Sequence, residues 1–173
     1  LFGTGIRLSL LELRRLVQIV PFRAEFAPAF AALNREWIER LFALEPADRK
    51  VLNDPAGAII APGGQIFFAL EDGVPIGTVA VIAVQPRRYE LAKMAVTPGY
   101  QGQGVGEALG RAVIAWALEQ QAESVFLLTN SRLGGAIRLY QRLGFVHRPT
   151  PAQTGYDRAD VLMELVLRQP HAV

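Results

Sequence analysis

Apolar residues recur along this chain with two different periods, and the order of those periods points to an architecture. Val17-Gln18-Ile19-Val20 reads as a short strand closed by Pro21. From Ala27 to Ala43 the residues Phe30, Leu33, Trp37, Ile38, Leu41 and Phe42 fall at helical spacing, which predicts one helix, or two with a break near Asn34. Pro46 to Gly64 is richer in Asp, Pro and Gly and reads as a loop that can hold a short helical turn. Gln65 to Leu70 is then an apolar strand, and Asp72-Gly73 supplies the left-handed geometry of a tight hairpin. Its partner runs from Val74 to Val84 with a bulge expected at Gly77. Pro86-Arg87-Arg88 turns the chain into a third strand, Tyr89 to Val96. Three strands joined by turns make an antiparallel meander.

After Val96 the period changes. A glycine-rich turn leads into a helix from Val105 to Gln120, with Val105, Leu109, Ala112, Val113 and Trp116 on one stripe. Ser124 to Thr129 has the composition of a buried strand, and Leu133 to Leu143 reads as a second helix stopped by Gly144. Phe145-Val146 and Val161 to Leu167 supply the last strands. Strand, helix and strand following a meander predict an α/β (α+β) protein. Its central sheet is mixed and mostly antiparallel, holds one parallel pair and is flanked by helices.

The bulk numbers narrow this further. With 173 residues, 51% of them hydrophobic and 20% charged, the chain suits one folded domain. That domain is assigned to residues 17–168, between an uncertain leader over 1–16 and a tail over 169–173. The chain has no cysteine, which excludes disulfides, thiolate metal sites and a cysteine nucleophile. His147 and His171 are too few for a histidine-based metal site, so no metal is expected. A net charge of +2, with no Lys/Arg run interleaved with aromatics, argues against nucleic-acid binding. No apolar stretch approaches the roughly 20 residues a membrane span needs, and no signal sequence is evident, so a cytoplasmic protein off the membrane is expected.

The turn Gln101-Gly102-Gln103-Gly104-Val105-Gly106 sits between a strand and a helix. Glycine permits positive φ and lets a ligand approach the backbone without a Cβ in the way. The first N–H groups of the next helix have no intrahelical acceptor and face outwards at the positive end of the helix dipole. Together they suit a diphosphate. A dinucleotide fingerprint fails in this register because Glu107 stands where a glycine is needed, and the phosphate loop of ATPases needs a Gly-Lys-Ser/Thr run that is absent here. A turn that only connects two elements stays open on these residues alone.

Three stretches in this order resemble the GNAT superfamily of Gcn5-related N-acetyltransferases. Glu90 to Pro98 is similar to the family's central strand. Gln101 to Gly106 matches its Gln/Arg-x-x-Gly-x-Gly/Ala signature, and Ala136 to Phe145 matches its Ala-x-x-Leu-Tyr-x-x-x-Gly-Phe ending. The resemblance covers about Val17 to Leu167. It implies a GNAT fold whose parallel strand pair splays apart, with acetyl-CoA as acyl donor. The coenzyme would lie on the N–H groups from Gly102 to Gly106, beside Gln101, Gln103, Gly104 and Val105. Its pantetheine arm would lie along the backbone of Met94, Ala95 and Val96.

The same resemblance implies that Tyr140 is the general acid for the departing thiolate and that Glu90 is the base. The competing readings are a core tyrosine on an amphipathic helix and a solvated charge beside Arg87 and Arg88. Strand alternation sets Glu90 and Met94 on one face and Lys93 on the other, without a role. Asn130 either contacts the coenzyme or caps the following helix. Trp37, Arg40, Tyr156 and Arg158 lie in regions that border the acceptor cleft in this family. The expected activity is acetyl transfer by direct attack of a small-molecule or peptide amine in a ternary complex. A non-catalytic acyl-CoA sensor on the same fold is the alternative, and a homodimer is compatible with the family.

Overall fold

The computed structural model describes residues 17–167, so the leader over 1–16 and the tail over 169–173 lie outside the described residues. Seven strands form one sheet: β1 (Gln18–Pro21), β2 (Gln65–Glu71), β3 (Val74–Gln85), β4 (Arg88–Val96), β5 (Ser124–Thr129), β6 (Val146–Arg148) and β7 (Val161–Val166). Their order across the sheet is β1-β2-β3-β4-β5-β7-β6. Every neighbouring pair is antiparallel except β4 and β5. Among the described residues the α-helices are α1 (Ala27–Leu41), α2 (Pro46–Asn53), α3 (Val105–Glu119) and α4 (Gly134–Arg142). The α3 crossover joins the meander to β5, as a parallel pair requires. Among the described residues no helix is long and apolar enough to cross a membrane.

The two faces of the sheet carry separate cores. On one, Val79, Val81, Leu91, Val125 and Leu127 pack with Val105, Leu109 and Val113 of α3 and with Tyr140 of α4. On the other, Ile66, Phe68 and Ala80 pack with Phe30 of α1 and Leu52 of α2. Burying a side chain of this size is worth roughly 1.5–3 kcal/mol, so both layers are anchored through the central strands.

One detail that the sequence leaves open is decided, and two differ from the sequence reading. α1 runs unbroken through Asn34, because that buried side chain is satisfied within its own helix. Its Nδ2 donates to the Phe30 carbonyl at 3.0 Å, and its Oδ1 accepts from Trp37 Nε1 at 3.3 Å. The segment read as a loop from Pro46 contains α2, followed by a short π-helical turn at Ala56–Ile60. Pro46 occupies the first turn of α2, where its missing N–H costs nothing, and Asp48 accepts the Glu45 backbone N–H at 3.0 Å. Around Gly77 the extra residue of the bulge is Ile76, since Ala69 pairs with Gly77 and Leu70 with Pro75.

Candidate functional site

β4 and β5 pair only at Arg88–Ser124, Tyr89–Val125 and Glu90–Phe126. β4 continues to Val96 and β5 to Thr129, so the two strands part directly after Glu90. The wedge opens into a cleft of about 880 Å³, walled by Leu91 to Val96 on one side and Leu128 to Asn130 on the other. Backbone groups on that free edge of β4 require partners once covered. An extended, amide-bearing ligand provides them.

The glycine turn closes one end of the cleft. Gln101 Nε2 donates to the Val96 carbonyl at 3.0 Å and Gln103 Nε2 to the Gly99 carbonyl at 2.9 Å, so both glutamines brace the turn. Gly102 and Gly104 have φ of 74° and 85°, and a Cβ on either would meet nothing within 4 Å. The space above them is open to a ligand. Gly104 is the N-cap of α3 and its carbonyl takes the Ala108 N–H at 3.0 Å. The N–H groups of Val105, Gly106 and Glu107 are therefore left without intrahelical acceptors. Gln101, Gly102, Gly104 and Gly106 line the cleft. Gln103 and Val105 do not: the first points its amide back to Gly99, and the second is buried in the α3 core.

Tyr140 and Glu90 both line the same cleft. Tyr140 is 8% exposed and packs against Phe145 with ring centroids 6.1 Å apart. Burial pushes its phenol up to about 12, so the hydroxyl keeps its proton at neutral pH. Glu90 pairs with Ile82 across β3, which turns it to the face of α1 and α2. Burial raises its pKa above the usual carboxylate range, and the positive charge of Lys93 opposes that rise. A carboxylate moved towards neutrality is a stronger base.

Strand alternation misassigned Lys93 and Met94. Thr78 pairs with Ala95 but Ala80 pairs with Ala92, so β4 carries one extra residue opposite Val79. Lys93 absorbs it with φ of 53°. Beyond this bulge the facing of β4 reverses: Met94 packs with the α3 core, away from Glu90, and Lys93 turns to the face that Glu90 shares. There Lys93 Nζ lies 3.0 Å from Asp48 Oδ1 and donates to the Tyr156 hydroxyl at 3.0 Å. Arg158 completes the cluster, reaching both Asp48 oxygens at 2.7 Å and Glu45 Oε2 at 2.7 Å. Burial alone would raise the Asp48 pKa, yet Arg158, the Glu45 N–H and Lys93 together hold it at about 2.

The remaining predicted residues divide. Trp37, Arg40, Tyr156 and Arg158 do line the cleft, but Arg158 is engaged by carboxylates and acts as a strut between α2 and the loop before β7. Asn130 lines the cleft without capping α4, whose N-cap is Leu133. Its Nδ2 donates to the Arg158 carbonyl at 2.6 Å, and its Oδ1 accepts the Arg132 N–H at 2.9 Å. That chemistry suits a loop brace better than a cap. Met94, Ala95 and Val96 line the wedge. Lys93, Asp48 and Arg132 were not foreseen. A lysine amid the apolar run Leu91-Ala92-Lys93-Met94-Ala95-Val96 was the available signal, because a buried ammonium needs a partner.

Residues 26–145 match the model of the Acetyltransferase (GNAT) family. Among curated proteins, N-acetylaspartate synthetase of Rattus norvegicus is 36% identical over 87 residues, 50% of this chain and 29% of that protein. The chain spans only about a third of the length of the first curated relatives it matches. Among solved structures, a GNAT-family acetyltransferase from Staphylococcus aureus Mu50 superposes with a TM-score of 0.81 at 19% identity, covering 88% of this chain and 100% of its own. The PaiA N-acetyltransferase of Thermoplasma acidophilum, solved in complex with coenzyme A, gives a TM-score of 0.73 at 14% identity, covering 88% and 99%. At these identities the two structures carry the fold alone.

Proposed function

Because this chain belongs to the GNAT acetyltransferase family, we propose that it transfers an acetyl group from acetyl-CoA directly to a primary amine while both substrates are bound. The observation that carries the reading is the parting of β4 from β5 after Glu90. It opens one cleft lined by Glu90, Tyr140 and the glycines at the start of α3. The residues present fit a coenzyme A molecule. The open glycine turn and the free N–H groups of α3 suit its pyrophosphate, and the unpaired edge of β4 suits its amides. When bound, the coenzyme supplies the activated acetyl thioester.

The chain's own groups would do the rest. Glu90 takes the proton that the amine must lose before it can attack. A backbone N–H between Met94 and Val96 polarises the acetyl carbonyl, as a fixed dipole does well in a site shielded from water. Tyr140, protonated at neutral pH, returns a proton to the sulfur as it leaves. The amine sits on the side of Trp37, Arg40 and Tyr156, which share the cleft with Glu90.

Calorimetry with acetyl-CoA and thiol release over a panel of amines test this together. Acetyl-CoA should bind and NADH should not. Tyr140→Phe and Glu90→Gln should each lower kcat by roughly 10²–10⁴, the usual share of a positioned acid or base, with coenzyme affinity within about twofold of wild type. Tight NADH binding without acetyl-CoA binding would overturn the assignment. Unchanged turnover in either variant would remove that residue from the mechanism.

A further inference from the structure

Among the described residues six cationic side chains line the cleft, Arg40, Lys93, Arg132, Arg138, Arg142 and Arg158, against two carboxylates, Glu90 and Glu107. Three of these cations are paired with a carboxylate. Lys93 and Arg158 are engaged by Asp48 and Glu45, with oxygens 2.7 to 3.0 Å away. Arg142 lies 3.8 Å from Glu107 in the first turn of α3, at the glycine end. Arg138 precedes it by one turn on α4, with its guanidinium over Gly134 and Gly135.

Three arginines remain without a close carboxylate among the described residues: Arg138, over the start of α4, and Arg132 and Arg40, which both adjoin Phe42 at the end of α1. The Arg132 guanidinium sits 5.4 Å from the centre of the Phe42 ring, just past α1. No carboxylate pairs with it among the described residues. Its backbone is fixed, since Asn130 binds the Arg132 N–H and also the Arg158 carbonyl. Arg40 stands two residues before Phe42. Its only ion pair among the described residues is a 3.9 Å contact with Glu36, in which both side chains are about half exposed. Such a pair is worth little in water. A guanidinium stacked on an aromatic face keeps its N–H edge free, and that edge matches a carboxylate in paired, bidentate fashion.

Resting on the acetyl-transfer reading above, we infer that the acceptor is a small amine that also bears a carboxylate, an amino acid, held with its carboxylate against Arg132 and Arg40 and its amine towards Glu90. The two signs of such a molecule complement the two signs of the site. Polyamines and lysine-rich peptides would bring further positive charge against a wall that already has an excess of it.

The test uses the whole chain with acetyl-CoA. Thiol release is compared for free L-amino acids, their carboxamides, the corresponding decarboxylated amines, polyamines and a lysine-rich peptide. Free acids should exceed their carboxamides in kcat/KM by roughly 10- to 100-fold, the worth of a hydrogen-bonded charge contact. Arg132→Met should erase most of that preference through KM and leave acetyl-CoA affinity unchanged, with Arg132→Lys recovering part of it. Equal rates for acids and carboxamides, or a polyamine or lysine-rich peptide as best acceptor, would overturn the inference while leaving acetyl transfer intact. Absence of acetyl-CoA binding would overturn both. The panel on the unaltered protein decides the matter even if an Arg132 variant fails to fold.

Discussion

Asp48 has no exposed surface and faces two cations, Lys93 and Arg158. A carboxylate in that position would be expelled by its own desolvation were it unpaired, and removing one partner of a buried pair costs about 3–5 kcal/mol. Asp48→Asn should therefore lose about 3 kcal/mol of stability at pH 7 in urea denaturation. The pH dependence has a definite sign. The folded pKa of about 2 lies below the ordinary 3.8, so the stabilisation is complete above the higher value and is lost as pH falls towards the lower. The gap between Asp48→Asn and the parent should thus close between pH 4 and pH 2. A gap of equal size at both ends would mean that packing, not charge, makes Asp48 matter. The same cluster has a consequence for chemistry, because Lys93 is both the partner of Asp48 and the charge that moderates Glu90.

At the scale of elements, α3 shows two different needs for glycine, and they separate binding from packing. At Gly104 the backbone is left-handed with φ of 85° and the surroundings are open, so Gly104→Ala should cost about 1–2 kcal/mol from backbone strain alone. It would also set a methyl group at the anion end of the cleft, and coenzyme affinity should fall. At Gly110 a Cβ would come 2.4 Å from Leu143 Cδ1, an overpacking between α3 and the end of α4 that typically costs 1–3 kcal/mol. Gly110→Ala should lose stability in thermal melts yet keep coenzyme affinity in calorimetry. Affinity lost equally in both variants would show that the turn has no special part in binding.

Elements were also where the sequence was most and least legible. The meander, the glycine turn and α3 follow from hydrophobic period and glycine spacing, which are local. Tyr140 is different: its helical stripe reads only as a core tyrosine, and its candidacy comes from the Leu-Tyr-x-x-x-Gly-Phe ending it shares with the GNAT family. The bulge at Lys93 is not local: it exists because β4 takes one more residue than Val79 can oppose, and no pattern within β4 announces it. Once it was missed, alternation necessarily put Met94 beside Glu90 and left Lys93 without a role. α2 was hidden for a different reason. Pro46 and the Asp residues around it signal a turn and the first turn of a helix equally well. Arg132 could not be read at all, since its meaning lies in Phe42, ninety residues earlier in the chain.

Across the whole molecule the sheet is continuous in order but not in strength. β3 and β4 pair along most of their length, whereas β4 and β5 share three register positions at one end. Elsewhere the β1–β4 half meets the β5–β7 half through α3, which packs on both, and through the Lys93–Asp48–Arg158 cluster. The open part of the junction is thus the part that a coenzyme would cover. Binding there should stabilise the fold by mass action, about 2.7 kcal/mol at a hundredfold excess over Kd. For a domain of this size that is a rise in Tm of roughly 5–10 °C. Hydrogen exchange should locate the effect. The amides of Leu91 to Val96, those of Leu128 to Asn130 and the first turn of α3 should gain protection with acetyl-CoA, while β6 and β2 change little. Protection spread evenly over all strands would mean global stabilisation without occupancy of the wedge. Protection confined to β1 and β2 would put the ligand elsewhere and take Glu90 and Tyr140 out of its reach.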